Sequence, residues 1–180
     1  MNAEKLKALA LQYGAKGAQI IPGEKIVLDP QFREICRRNS CGRYGRCHMC
    51  PPDLGEMEDL MAKVRAYPKA LVYQSVWPLE DSFDFESMME GGAGHQKLST
   101  KLQRAAKELL EVPFLHLSSG CRLCERCAKL DDSPCRHPEE ALGAVEGYCI
   151  NVSSTIKGTD LKYVNGENTV TYFGMILFVE

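Results

Sequence analysis

The sequence lacks the features that would place this chain in a membrane, outside the cell or on nucleic acid. No apolar run reaches the roughly 18 residues needed to cross a bilayer. The opening MNAEKLKALALQYG predicts an amphipathic helix rather than a secretion signal. Lysine and arginine number 22 against 24 aspartate and glutamate residues, so no basic excess indicates binding to nucleic acid or to an anionic membrane. We therefore expect a cytoplasmic protein.

Motifs of several common enzyme classes are also absent. The chain contains no phosphate-binding loop, no GxGxxG dinucleotide fingerprint and no GxSxG nucleophile elbow. Its 180 residues are 44% hydrophobic, which excludes a disordered chain because that much apolar surface can form a core. We expect one domain over residues 1–180.

Cysteine, by contrast, is abundant. The chain has nine cysteines and no secretion signal, and the odd number argues against complete pairing. Under these conditions metal or redox ligands are favoured over a disulfide framework. Eight of them form two groups and Cys149 stands alone; the groups are Cys36, Cys41, Cys47 and Cys50, and Cys121, Cys124, Cys127 and Cys135.

Apolar spacing in the first half of the chain predicts helices that alternate with strands. Residues 36–52 have no apolar period and predict a loop whose shape depends on metal. Asp53, with Glu56 three residues later, predicts the N-terminal cap of a helix that ends before Pro68. The other expected elements are a helix over 2–13, a strand within 18–28 and a central, doubly covered strand over 70–77.

The second half predicts further helices and strands. Residues 78–96 are acidic and glycine-rich, which predicts a mobile loop or a broken helix. The remaining expectations are a helix over 97–111, strands over 113–119 and 144–152, a short helix over 153–160, and a terminal hairpin of LKYV and TVTYFGMILFV. Together these predict an α/β fold with a mixed sheet, flanking helices, a C-terminal hairpin and cysteine-rich metal loops at 36–50 and 121–135.

The second cysteine group favours an iron–sulfur cluster. Cys121, Cys124 and Cys127 recur every three residues, and Cys135 follows with Pro138 just beyond. Such spacing suits a [4Fe-4S] cubane, in which each iron takes one thiolate, better than zinc, which usually takes two separated pairs. Zinc and reduced, unligated thiols remain the alternatives. The neighbouring Arg122, Arg126 and Arg136 would offset the negative charge of a cluster.

The spacing of the first cysteine group is less specific for one kind of metal or redox site, since only Cys47 and Cys50 form a CxxC pair. An iron–sulfur cluster, a zinc ion and a thiol or disulfide redox site are all compatible with this spacing. His48 is a further candidate ligand, although a supporting or surface role is more common for such a histidine. This segment is also the most cationic part of the chain, with Arg33, Arg37, Arg38, Arg43 and Arg46.

With both groups in view, the sequence resembles the family of predicted metal-binding proteins known as domain of unknown function 2284. The resemblance covers nearly the whole chain. It rests on Cys36-x4-Cys41-Gly42-x-Tyr44-Gly45, Cys50-Pro51-Pro52, Gly120-Cys121-x-Leu123-Cys124-x2-Cys127, Pro134-Cys135-Arg136-His137-Pro138 and the closing TVTYFGMILF.

The resemblance implies a soluble prokaryotic protein that binds metal, in the form of iron–sulfur, and that has no assigned reaction. In the family pattern Cys36, Cys41 and Cys50 match, whereas Cys47 stands where another residue is usual. The first site thus holds either four cysteines or three with an open or non-cysteine position. Cys149 takes the place of a small residue, which implies a buried, inert thiol.

Three functions follow from these observations. The first is electron transfer to a redox partner protein by one or two [4Fe-4S] clusters. The second is an enzyme that binds an anionic or sulfur-containing substrate at an incompletely ligated cluster, against Arg37, Arg38 and Arg43. The third is a zinc-stabilised interaction module that engages a partner through the acidic segment 80–90. The candidate acids or bases for an enzyme are His48, His95 and Tyr44, and none is assigned.

Overall fold

The computed structural model describes residues 2–179 and consists of a five-stranded mixed sheet with helices on both faces. The strand order is β1-β2-β5-β3-β4, and only β3 and β4 pair in parallel. The mixed α/β fold expected from the sequence is confirmed. The strands are β1 (Gly17–Pro22), β2 (Lys69–Pro78), β3 (Phe114–Ser118), β4 (Gly143–Ala144) and β5 (Thr169–Phe178).

Two apolar layers cover the sheet, one on each face. Strand β2 contributes to both, because successive side chains of a strand point to opposite faces. Leu71 and Tyr73 pack with α1 and α4, whereas Ala70 and Val72 pack with α3 and the segment 145–161. This arrangement confirms the doubly covered interior strand. The helices are α1 (Asn2–Gln12), α2 (Gln31–Arg37), α3 (Met57–Arg65), α4 (Phe85–Leu109) and α5 (Val152–Thr155).

Helix α4 corrects the expectation of a loop or broken helix over residues 78–96. It runs unbroken for 25 residues, and the Asp84 carboxylate caps its start by accepting a hydrogen bond from the Ser87 amide at 3.0 Å. The glycines that predicted a break bring the helix close to its neighbours. A Cβ on Gly94 would lie 2.2 Å from the Trp77 ring, so only glycine allows the helix to approach β2 this closely.

The prediction of a C-terminal hairpin is wrong. Strand β5 pairs with β2 along its whole length, so β2 occupies one of the two edges that a hairpin partner could use, and β3 pairs with residues 175–178 on the other edge. The segment 161–164 forms no strand. The strand expected over 144–152 is also reduced, since β4 covers only Gly143–Ala144 and a short 3-10 turn follows over Glu146–Tyr148.

The prediction that Asp53 caps the helix before Pro68 is also wrong. Helix α3 begins at Met57, and Glu56 holds the cap position without a side-chain hydrogen bond. The Asp53 carboxylate instead forms an ion pair with the Lys129 ammonium at 2.7 Å, which directs it toward the second cysteine segment. In the part of the chain that the structure describes, no helix combines the length and apolar character needed to cross a membrane.

Candidate metal centre

The two cysteine segments, 36–50 and 121–135, lie against each other at one edge of the sheet. Strand β3 ends at Ser118 and leads the chain directly to Cys121. Two side chains of the first segment, and one that follows it directly, contact the second segment. The Arg43 guanidinium donates to the Cys121 carbonyl, His48 Nε2 donates to the Ser133 carbonyl at 2.8 Å, and Asp53 pairs with Lys129.

The larger of two cavities at this edge has a volume of about 670 Å³ and is lined by five thiols. Cys47 from the first segment joins all four cysteines of the second. The sequence grouped Cys47 with Cys36, Cys41 and Cys50, whereas the structure places it in the lining of the larger cavity with Cys121. The charged and aromatic lining consists of Arg43, Arg46, His48, Glu125, Arg126, Arg136 and His137; the thiols are those of Cys47, Cys121, Cys124, Cys127 and Cys135.

The smaller cavity, of about 500 Å³, contains the other three cysteines of the first group. Cys36 enters it from α2 and Cys50 from the turn before α3. Its polar lining also includes one carboxyl group and two guanidinium groups, and Arg43 lines both cavities. The full polar set is Cys36, Ser40, Cys41, Arg43, Tyr44, Cys50, Ser119, Arg122 and Glu146.

Cys47 is the shared member of a small thiol cluster between the two cavities. It accepts hydrogen bonds from the thiols of Cys121 and Cys50, and these bonds lower the pKa of Cys47 well below its ordinary value. Donating to Cys47, together with burial, raises the pKa of both Cys50 and Cys121. The lowered pKa favours the thiolate form of Cys47, which is the form that binds metal.

The thiol of Cys36 has a different environment. Burial raises its pKa, and the nearby carboxylate of Glu146 and thiol of Cys41 act in the same direction. Arg33 opposes the shift at Cys36 and donates hydrogen bonds to the carbonyls of Gly147 and Gly55, so it fastens α2 to the segment before α3 and to the 3-10 turn over Glu146–Tyr148.

The arginines are distributed differently from the sequence expectation. Arg37 forms an exposed ion pair with Glu34 at 2.8 Å, Arg38 is exposed, and neither lines a cavity. They were the arginines expected to hold an anionic substrate. Arg43 does line both cavities, and Arg122, which the sequence placed beside the second cysteine group, lines the smaller one. No spacing in the sequence could have indicated this, because the β3 topology brings Arg122 there.

The remaining candidates have contrasting positions. His48 lies in the larger cavity and Tyr44 in the smaller one. His95 is fully buried between α4 and the sheet, lines neither cavity and hydrogen-bonds to the Ser75 hydroxyl at 2.7 Å, so the structure gives it no access to a substrate there. Cys149 is fully buried, as expected, and also lines neither cavity.

The chemistry of the donors fits a thiolate-bound metal group. Within residues 2–179, no three histidine, cysteine, aspartate or glutamate side chains are placed to hold a single metal ion. The sulfurs surround spaces of several hundred cubic ångströms instead. Five thiols in one cavity and three in the other, with arginines beside them, form a donor set that soft metals and iron–sulfur clusters prefer.

The match to known families agrees with this donor set. A family described as "Predicted metal-binding protein (DUF2284)" matches residues 19–178. The chain belongs to this family. The match to DUF2284 includes both cysteine segments and both cavities, and it confirms the resemblance carried by the cysteine motifs. Its description supports metal binding. No curated protein and no solved structure matches the chain.

Proposed function

We propose that this protein holds a [4Fe-4S] cluster in its larger cavity and uses it to exchange single electrons with a redox partner protein. The observation that carries the proposal is the convergence of five thiols, from two distant segments, on that one cavity. A cubane needs one thiolate for each of its four irons. The proposed ligands are Cys121, Cys124, Cys127 and Cys135.

Other residues around the larger cavity favour an anionic group inside it. A cluster supplies reversible one-electron chemistry when it is bound. Arg43, Arg46 and Arg136 place positive charge at the cavity walls and have no carboxylate partner within residues 2–179, whereas Arg126 pairs with Asp131. Cationic neighbours offset the negative charge of four thiolates and raise the reduction potential of a cluster.

The smaller cavity supports a second candidate function. Cys36, Cys41 and Cys50 line it, while Cys47 lines the larger cavity with Cys121. Three thiolates would leave one coordination position of a cubane without a cysteine. An open position of this kind gives Lewis-acid capacity toward a substrate, as an enzyme requires. The three-cysteine lining therefore favours a second, substrate-binding cluster over a second electron carrier.

A surface patch beside the smaller cavity supports docking of a redox partner with a basic surface. Phe83, Phe85 and Met89 are 81%, 72% and 59% exposed at the start of α4. Met89 also lines the smaller cavity. Residues 78–96 contain five acidic residues and no lysine or arginine. Exposed apolar side chains within an acidic rim are complementary to an apolar patch within a basic rim.

The test is the metal content of protein purified without oxygen, measured with acid-labile sulfide and the visible spectrum before and after dithionite. About four irons with equal sulfide, bleached by dithionite, would support one cluster, and about eight would support two. Zinc without sulfide would contradict the proposal and favour the zinc-stabilised interaction module instead.

A pair of cysteine variants assigns the cluster to the larger cavity. Cys127→Ala removes a proposed ligand, whereas Cys149→Ala removes a buried thiol that lines neither cavity. We expect the first variant to lose about four irons per chain and the second to keep its full content. Equal content in both variants would contradict the assignment.

A further inference from the structure

The guanidinium of Arg122 is held in the wall of the smaller cavity without an acidic partner. It packs against the backbone of Gly92 on α4, where a Cβ would lie 2.8 Å from the guanidinium carbon. Its Nη1 faces the sulfur of Met89 at 3.7 Å, and its buried Nε has no hydrogen-bond acceptor. Because Nε is enclosed, a ligand in the cavity would meet the other guanidinium nitrogens of Arg122, which lines that cavity.

A second guanidinium lies close to the first. Arg43 lines the same cavity; burial lowers the pKa of Arg122, and the positive charge of Arg43 acts in the same direction. Arg43 is fixed by its hydrogen bond to the Cys121 carbonyl, and neither arginine forms a salt bridge within residues 2–179. Glu146 lines the cavity but is not paired with either one. Two like charges held together favour binding of an anion between them.

The rest of the lining indicates the kind of anion. One part of the wall is apolar, with Ile35, Pro51, Met89 and Ala144, and another carries the hydroxyls of Ser40, Tyr44 and Ser119. A guanidinium binds a carboxylate through two parallel hydrogen bonds. We propose that the smaller cavity binds a small organic carboxylate, with its carboxylate group between Arg43 and Arg122 and its carbon skeleton on the apolar wall.

Glycine at position 92 is part of this site. An added methyl group there would meet the far end of a flexible side chain, which can move, rather than backbone. Alanine also favours a helix interior over glycine by about 1 kcal/mol. Gly92→Ala therefore retains a stable fold and displaces the guanidinium of Arg122 from the cavity wall.

The experiment is calorimetric titration of the full chain, purified without oxygen, with succinate and citrate as carboxylate probes. Neutral succinamide and inorganic phosphate are the comparison ligands. We expect succinate or citrate to bind and succinamide not to bind. Arg122→Lys and Gly92→Ala should each weaken carboxylate binding by about tenfold to a hundredfold, as expected for loss of a charge-assisted hydrogen bond. Arg46→Lys is the matched control, since Arg46 lines only the larger cavity.

Several results would overturn the inference. These are no heat from either carboxylate, phosphate binding as tightly as the carboxylates, or an equal loss of affinity in Arg46→Lys, which would indicate a diffuse attraction of anions to the cationic edge. The inference goes beyond cluster binding and fails separately from it. Calorimetry detects the carboxylate whatever metal the thiols hold, whereas iron and sulfide analysis of the same samples tests the cluster.

Discussion

Cys47 and Cys121 line the same cavity, although the two residues belong to different cysteine segments. This shared lining joins the segments and leaves the smaller cavity with three cysteines in place of four. Cys47 lines the larger cavity and not the smaller one, so we expect its removal to affect metal binding in the larger cavity.

We predict that Cys47→Ala destabilises metal binding in the larger cavity only. In a Cys36→Ala background, which disables the smaller site, the added substitution should accelerate iron loss to a chelator about tenfold, a magnitude typical of residues that support metal ligands. In a Cys127→Ala background, the added substitution should leave the rate unchanged. The measurement is iron release followed by absorbance, and the opposite pattern would assign Cys47 to the smaller cavity.

The sequence predicted those elements that local pattern determines. The amphipathic period of α1 and the continuous apolar run of β2 were sufficient to predict these two elements, because the burial of each follows from its own side chains. The spacing of the cysteines also predicted that Cys121 groups with its near neighbours. Pairings between distant segments could not be predicted from local pattern. The hairpin expected at β5 is wrong because β5 pairs with the distant strands β2 and β3 while residues 161–164 form no strand.

Two further failures have the same physical cause, a tertiary contact that overrides a local preference. Asp53 has the residue type and spacing of a helix cap, but its carboxylate is held by Lys129. Gly91 and Gly94 have low helix propensity, but they occur where α4 crosses Trp77 and no side chain would fit. Arg122 was expected beside the second cysteine group but lines the smaller cavity, and the sequence could not indicate this because its contact with Gly92 depends on how α4 packs on the sheet.

The contact between Gly94 and Trp77 gives a prediction for stability. Gly94→Ala should lower the free energy of unfolding by about 1–3 kcal/mol, because the new methyl group would overlap the indole ring and the packed interior must shift. Gly92→Ala in the same helix is the control, since its methyl group meets only the end of a flexible side chain. The measurement is anaerobic chemical denaturation followed by circular dichroism. An equal or greater stability of Gly94→Ala would show that Trp77 moves freely.

The fluorescence of Trp77 provides a local check on the same pair of variants. The chain contains one tryptophan, so its emission reports on this contact alone. We expect a shifted emission maximum in Gly94→Ala and an unshifted one in Gly92→Ala. A shift of equal size in both variants would contradict the explanation by overlap.

Two buried histidines predict how stability depends on pH. Burial lowers the pKa of His95 to about 4 and that of His116 to about 3. His116 Nδ1 donates to the Gln103 side-chain oxygen, so its Nε2 accepts from the Tyr73 hydroxyl, which fixes the neutral form. Both residues bind a proton more readily in the unfolded chain. The contribution of the two neutral histidines to the free energy of unfolding is complete above pH 6.5 and decreases as the pH falls toward 4.

We expect each histidine to contribute a slope of up to about 1.4 kcal/mol per pH unit over this range. His95→Asn should reduce the slope, because asparagine does not titrate and its side chain can still meet the Ser75 hydroxyl. Metal release at low pH affects the wild-type protein and the variant alike, so the comparison isolates the histidine. The measurement is the unfolding free energy at several pH values, and identical slopes would exclude His95 as a contributor.

The acidic and apolar patch at the start of α4 gives a prediction for electron transfer. Replacing Glu80, Asp81 and Glu86 with their amides should slow the reduction of cytochrome c, a basic redox protein, several-fold at low salt. Asp84 is left intact because it caps α4. The patch variant should react more slowly because it loses electrostatic steering, so its difference from the wild type should disappear at high salt. The measurement is the second-order rate by stopped-flow absorbance.

The matched control neutralises three acidic residues elsewhere, Glu4, Glu108 and Glu111. Glu4 lies in the first turn of α1, and the other two lie near the opposite end of α4 from the patch. The control and the patch variant have the same net charge, so any difference between them depends on position. If both variants slow the reaction equally, steering comes from net charge alone and the patch is not a docking surface. A patch variant that also loses rate at high salt would instead indicate damage to the cluster.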